Sequence, residues 1–170
     1  MGIGQQHQVC HFEKLHAMES VVEELEPTDH LMVYYLTPCV RLKSGGKIYD
    51  DFIPFHVLLP RLVDRLTELD NLYGDGSFEQ EWDIGEMKRA SRLIAGEAEA
   101  GLVSQTTRTS SRTRQEMHLK GFQGKMLYEG EFSAFLEPLK YLPYVNIGRF
   151  NVFGCGWCSL QFLSQKPNLN

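Results

Sequence analysis

The sequence contains no apolar run of about 18 residues or more, the length that a membrane-crossing helix requires. Its opening, MGIGQQHQVCHF, lacks the basic and apolar segments of a secretory signal. Both absences predict a soluble, cytoplasmic protein with no membrane partner. Cysteine is also scarce. Cys10, Cys39, Cys155 and Cys158 are too few and too scattered for a disulfide scaffold in 170 residues, so reduced thiols are expected. Cys155 and Cys158 frame one C-x-x-C with no second pair and no thioredoxin-like context. Cys10 with His11 is the one pair that could complete a metal site there; two cysteines flanking a turn, with no metal and no cofactor, is the preferred reading. His7 and His11 lack the glutamate of an H-E-x-x-H frame, so a zinc hydrolase of that kind is not supported.

What is present suits one globular domain: 42% of residues are hydrophobic and 23% charged. The formal net charge is −5, yet Ser104 to Lys125 holds five Lys/Arg against one acid, leaving −9 for the remainder. The pI near 5.7 argues against indiscriminate polyanion binding, and the sorting permits a local basic groove on an acidic body. Taken with a period of two, Arg108, Ser110, Arg112, Arg114, Glu116, His118 and Lys120 share one side. A strand here would carry a basic ribbon.

Residues 1–30 form an acidic, poorly periodic lead-in, and 164–170 a polar tail expected to fray. HLMVYYLTPCVRL predicts a buried strand from Leu31 to about Leu42, with Pro38 at an edge or a bulge. KSGGKIYDD predicts a small hairpin. Phe55, Leu58, Leu59, Leu62, Leu66, Leu69 and Leu72 recur at helical spacing before Gly74, which predicts a helix over 54–73 that Pro60 kinks or delays. The stretch 74–101 has no clear pattern apart from a possible strand over 77–82. FQGKMLYEGEF predicts a strand joined to the basic one through a turn at Lys120-Gly121, and Ser133 is expected to cap a short proline-containing helix. Cys158 to Leu163 predicts a closing strand. The order is that of an α+β, ferredoxin-like βαββαβ sandwich over 31–163, with helices on one face of an antiparallel sheet.

GFQGKMLYEGEF, the proline-containing helix, the I-G-R turn and the glycine loop before the last strand follow one another in an order that resembles the C-terminal half of the CRISPR repeat-processing endoribonucleases of the RAMP superfamily. YYLTPCVRLKSGG resembles that family's L-T-P-x-R-L strand, and RLVDRLTELDNLYG its first helix. The likeness covers roughly Leu31 to Leu163. GIGQQHQVCHFEKLHAME resembles the end of a preceding ferredoxin-like unit, so the chain resembles the second of the family's two units. The family's catalytic residues generally lie in the first, and none is carried over to this sequence. The resemblance implies CRISPR repeat RNA as a partner, together with an N-terminal unit or other CRISPR complex subunits. Three readings stand: an endoribonuclease unit cutting without metal by 2′-hydroxyl attack, a non-catalytic RNA-binding scaffold subunit of a CRISPR ribonucleoprotein, or a protein-interaction domain whose arginines meet acidic partner surfaces.

The candidate RNA-binding residues are Arg108, Arg112, Arg114, Lys120 and Lys125 on the ribbon and Arg149, Gly154 and Gly156 near the glycine loop. A solvated ribbon whose arginines pair with acids elsewhere is the competing reading for the first group. For the loop, a cradle of backbone amides competes with a tight turn that requires positive φ. Phe153 and Trp157 are expected in the core rather than stacked on bases. Cleavage would need a general base and acid. His118 is the catalytic candidate, ahead of His56 and of His7, His11 and His16 near the start.

Overall fold

The structure, a computed structural model, describes residues 25–40, 42–74, 76, 83–109 and 114–167. Cys10, His7, His11 and His16, the strand considered over 77–82, and Arg112 lie outside the described residues, as does most of the lead-in.

Alternating apolar residues open the fold as β1 (His30–Val40), whose Leu31, Val33 and Tyr35 point into the core. Gly45 and Gly46 turn the chain between β2 (Leu42–Ser44) and β3 (Lys47–Tyr49), the expected hairpin. The leucine-rich segment is α1 (Phe55–Tyr73). It runs unbroken through Pro60, and its buried stripe includes Val57 and Val63, whereas Leu72 is exposed. The unpatterned region holds a short helix, α2 (Ile84–Ala90), capped by the Asp83 carboxylate accepting from the Glu86 amide at 2.8 Å. It also holds the first half of β4 (Ala95–Thr109). AGEAEAG is poor in strand formers, and tertiary pairing with the neighbouring strand overrides local preference there. β5 (Glu116–Glu129), α3 (Leu136–Tyr141) and β6 (Cys158–Leu163) complete the chain. The residue that opens the turn before α3 is not a serine cap: the Ser133 amide donates to the Glu131 carboxylate at 2.8 Å.

The four-stranded antiparallel sheet has the order β4-β5-β1-β6, with the β2–β3 hairpin and α2 inserted between its elements. This is the ferredoxin-like arrangement, an α+β fold. Leu31, Val33, Tyr35, Phe122, Met126 and Tyr128 from the sheet bury one face against Phe55, Leu58, Leu59 and Leu62 of α1. At the centre, the Tyr128 hydroxyl donates to the Ile53 carbonyl at 2.6 Å and meets the Tyr35 hydroxyl at 3.0 Å, so neither buried phenol lacks a partner. The opposite face is the site of interest. No helix among the described residues is long and apolar enough to cross a membrane.

β4 and β5 pair as far as Thr109↔Glu116, and Lys120 and Gly121 lie inside the paired part of β5 rather than at the expected turn. Gly121 instead lies mid-strand because only glycine fits: a Cβ there would stand 2.3 Å from the Cys39 carbonyl oxygen of the adjoining strand. The tail does not simply fray, since Lys166 bridges Glu97 at 2.9 Å and Glu129 at 3.4 Å.

Candidate nucleic-acid interface

Pairing across the β4–β5 hairpin decides which cations share a face. Thr107 pairs with His118 and Gln105 with Lys120, whereas Arg108 pairs with Met117 and Thr106 with Leu119. Directly opposed residues project to the same side. Arg108 is therefore on the open face with Met117, Leu119, Gln123 and Lys125, and His118 and Lys120 are on the other. The single basic ribbon of alternating positions is thus divided between two faces, because the register pairs each even-numbered residue of this part of β4 with an odd-numbered one of β5.

On the open face, the Arg108 guanidinium lies 4.0 Å from the centroid of Phe153, whose ring stacks on Phe150. Beneath them Leu119, Val40 and Cys155 form a small apolar cluster against which Phe150 packs. Farther along, Lys125 Nζ stands 5.7 Å from the Tyr34 ring, and the Tyr34 hydroxyl donates to Gln161 at 3.3 Å. Arg108 and Lys125 form no ion pair among the described residues, while at the far end of this face Lys166 engages Glu97 and Glu129. At about 3.3 Å per residue, positions 117 and 125 of β5 are about 26 Å apart, so the two cations are spaced along a strand-sized track.

The glycine loop sits at one end of this track because β1 bulges to receive it. Between Tyr35↔Gly124 and Cys39↔Phe122, β1 advances four residues against two of β5, which places Pro38 in the bulge as expected. There the Leu36 and Thr37 amides both donate to the Trp157 carbonyl, at 2.9 and 3.3 Å. The Gly156 amide donates to the Pro38 carbonyl at 3.0 Å, and the Trp157 amide to the Thr37 hydroxyl at 2.9 Å. Phe150 is held in the left-handed region at φ 65°.

These bonds change the role of the loop. The amides of Ile147, Arg149, Phe153, Gly154, Cys155, Gly156 and Trp157 all donate to protein acceptors, so Gly154 and Gly156 do not offer a free amide cradle. Gly156 serves the turn. Gly154 has no atom within 4 Å of where its Cβ would be, which leaves the loop tip open to close approach. Trp157 is not in the core as its apolar character suggests: it is 53% exposed, beside Leu36 at 45%. Phe153 is half-buried under Arg108.

His118 is exposed, and its Nδ1 lies 3.3 Å from the Thr107 hydroxyl. Lys120 pairs with Asp50 at 2.8 Å, the fate that the competing reading assigned to the whole ribbon. Arg114 is exposed at the hairpin end with φ 53°. Arg149 is exposed and lines a separate pocket against α1. Tyr34, Lys43, Arg61 and Arg65 were not singled out from the sequence. Arg61 and Arg65 stand one helical turn apart, a spacing that would have marked a basic edge of α1.

Cys39, Cys155 and Cys158 are buried free thiols. Burial pushes Cys39 up to about 12 and raises Cys155 and Cys158 as well. Among the described residues, no three His, Cys, Asp or Glu side chains come together as a metal-binding group. In a Cys10→Ser background, the native protein is expected to leave these thiols unreacted with a disulfide reagent at pH 8 and to expose all of them in denaturant. Rapid labelling of the native state would show the pocket of thiols to be open. The same shift has a pH consequence: the unfolded chain releases the Cys39 proton near 9 and the folded chain holds it to about 12, so stability declines across that interval.

The sequence model of the CRISPR-associated endoribonuclease Cas6 family matches residues 33–158, most of the chain. The chain belongs to the Cas6 family. No curated protein matches significantly. Among solved structures, a Thermus thermophilus Cas6 superposes with a TM-score of 0.53 at 14% identity, over 84% of this chain and 57% of that one. A Cas6 product complex gives 0.55 at 14% identity, over 84% and 54%. A partial Cas6-RT-Cas1–Cas2 complex gives 0.50 at 14% identity, over 91% of this chain and 26% of that one. These similarities support the fold. The chain spans little more than half the length of the Cas6 structures it matches.

Proposed function

We propose that this Cas6-family chain acts in the cytoplasm as a unit that holds CRISPR repeat RNA on its open sheet face, for processing of the precursor transcript. The observation that carries the reading is the pair of cations without ion-pair partners among the described residues, Arg108 over Phe153 and Lys125 over Tyr34, on one face that ends at the glycine loop. Phosphates are attracted to the cations, and unpaired bases stack on exposed rings such as Trp157. The 31–163 region corresponds in this reading to the second ferredoxin-like unit. Arg114, exposed just before β5, extends the track in this reading.

Cutting by 2′-hydroxyl attack needs a base, an acid and a cation around one phosphate. His118 stands on the other face from Arg108, so this reading assigns it no part in a cut made on the open face and leaves the chemistry to groups beyond that face. An N-terminal unit or other CRISPR subunits are the proposed sources; the Cas6-RT-Cas1–Cas2 assembly is one setting in which a Cas6 meets such partners.

The test is incubation with labelled repeat RNA in EDTA across a salt series, scoring retardation and cleavage. Salt-sensitive retardation without cutting is expected. Arg108→Ala with Lys125→Ala should weaken binding about tenfold and flatten the slope of log affinity against log salt by about 1.4, two single-strand phosphate contacts. A folded double variant with unchanged affinity defeats the assignment, and a specific cut in EDTA by this chain would return attention to His118.

A further inference from the structure

β4 is an outer strand of the sheet, and at 15 residues it is the longest strand described. Among the described residues, no backbone hydrogen bond ties its outer edge to another segment, so a row of N–H and C=O groups stands unpaired there. Natural proteins keep such edges from pairing with other chains by lysine, proline or a covering segment. Ala95–Thr109 contains no lysine and no proline. Ala98, Ala100, Leu102 at 60% and Val103 at 40% are exposed along it. The one interruption is a bulge between Ala98 and Ala100.

The edge is also sorted by charge. Glu97 and Glu99 lie toward one end, Arg108 at the other, and the exposed pair Leu102 and Val103 between them. Lys166 is one cation shared by two carboxylates, Glu97 and Glu129, so the acidic end keeps negative charge. Arg108 has no ion pair among the described residues. A partner strand for this edge must therefore run basic, apolar, acidic where β4 runs acidic, apolar, basic, and β4 itself has that order when reversed. The faces agree as well. Glu97, Leu102 and Arg108 pair with Leu127, Gln123 and Met117 of β5, so all three stand on the open face, and opposed residues of antiparallel strands share a face. With a twofold axis through Val103, Leu102 of one copy stands beside Ser104 of the other. The bulge takes up one residue, which brings Glu97 of each copy opposite Arg108 of the other.

We propose that the outer edge of β4 is a docking surface for a second copy of this chain, the two β4 strands pairing antiparallel about Val103 with Glu97 opposite Arg108. The pairing joins two four-stranded sheets edge to edge and sets both open faces on the same side. It does not depend on the open face binding RNA. Arg108 serves both readings, and protein free of RNA keeps them apart.

The experiment is sedimentation velocity of the full, RNA-free chain over a concentration series reaching about 100 μM, at which a dimer with a Kd of about 10 μM is mostly formed. The apparent mass is expected to rise from 19.5 kDa toward twice that value. Leu102→Lys places a lysine on the exposed edge and should raise the dissociation constant about tenfold or more. The position is exposed, so the variant should retain its fold, to be checked by circular dichroism. Leu72→Lys, at the exposed end of α1, should leave the dimer unchanged. Glu97→Lys and Arg108→Glu should each weaken association severalfold by setting like charges opposite one another, and the two together should restore it, because every opposed pair is then again of unlike charge. Recovery by the combined variant is a result that a merely structural role for either residue would not produce. A mass of 19.5 kDa at every concentration, a dimer indifferent to Leu102→Lys, or a combined variant no better than the single ones overturns the proposal.

Discussion

Gly156→Ala should cost the domain about 3 kcal/mol or more, because the new methyl group has nowhere to go. A Cβ at this position would lie 1.8 Å from the Ile147 carbonyl oxygen and 2.7 Å from its carbon. That carbonyl belongs to the strap that carries Arg149, whose amide is bonded to Val40, and the Gly156 amide is itself bonded to Pro38. Relief of the overlap would pull the loop off the β1 bulge and break both ties. The left-handed backbone at φ 78° adds to the penalty. Gly154 provides the internal control. It has the same φ of 78° but open space around it, so Gly154→Ala should cost only the left-handed term, about 1–2 kcal/mol. Urea unfolding of the two variants separates the steric from the conformational contribution. Equal losses would mean that the loop is not seated against Ile147 as described.

Phe55→Ala is expected to remove about 4 kcal/mol and to lower the melting temperature by about 10 °C. Phe55 is buried at the first residue of α1, where its ring meets Tyr128 at 5.4 Å, Phe132 at 5.5 Å and Phe135 at 5.2 Å, all edge-on. One side chain thus joins β5, the start of α1 and the segment leading into α3. Its removal leaves a cavity bounded by three rings that are themselves packed and cannot easily collapse. Phe55→Leu should recover most of the loss. A melting temperature unmoved by the alanine substitution would show that the aromatic cluster contributes little to holding the helices on the sheet.

Local chemistry made much of the fold legible. The leucine repeat of α1, the Gly-Gly hairpin, the bulge at Pro38 and the closing strand from Cys158 to Leu163 each follow from spacing or turn residues within a few positions. The Ala-Gly-Glu half of β4 was not legible, since its strand form comes from pairing with β5 and not from its own preferences. Gly121 was misleading for a related reason: a glycine that admits a neighbouring backbone looks, in sequence, like one that turns the chain.

The candidate site divides in the same way. The presence and position of the cations between Ser104 and Lys125, the aromatic residues flanking the glycine loop and the absence of a disulfide framework were all set out in the chain itself. Which cations stand together was not. Whether Arg108 faces Phe153 or His118 depends on where the hairpin turns and on the register of β4 with β5. A shift of one residue would move every side chain of one strand to the opposite face. Likewise, Lys43, Arg65 and Arg149 lie far apart in sequence and meet only because the sheet, α1 and the glycine loop pack on one another. Periodicity and turn chemistry act over a handful of residues and could be read directly; faces and pockets are relations between distant segments, and only packing brings those segments together.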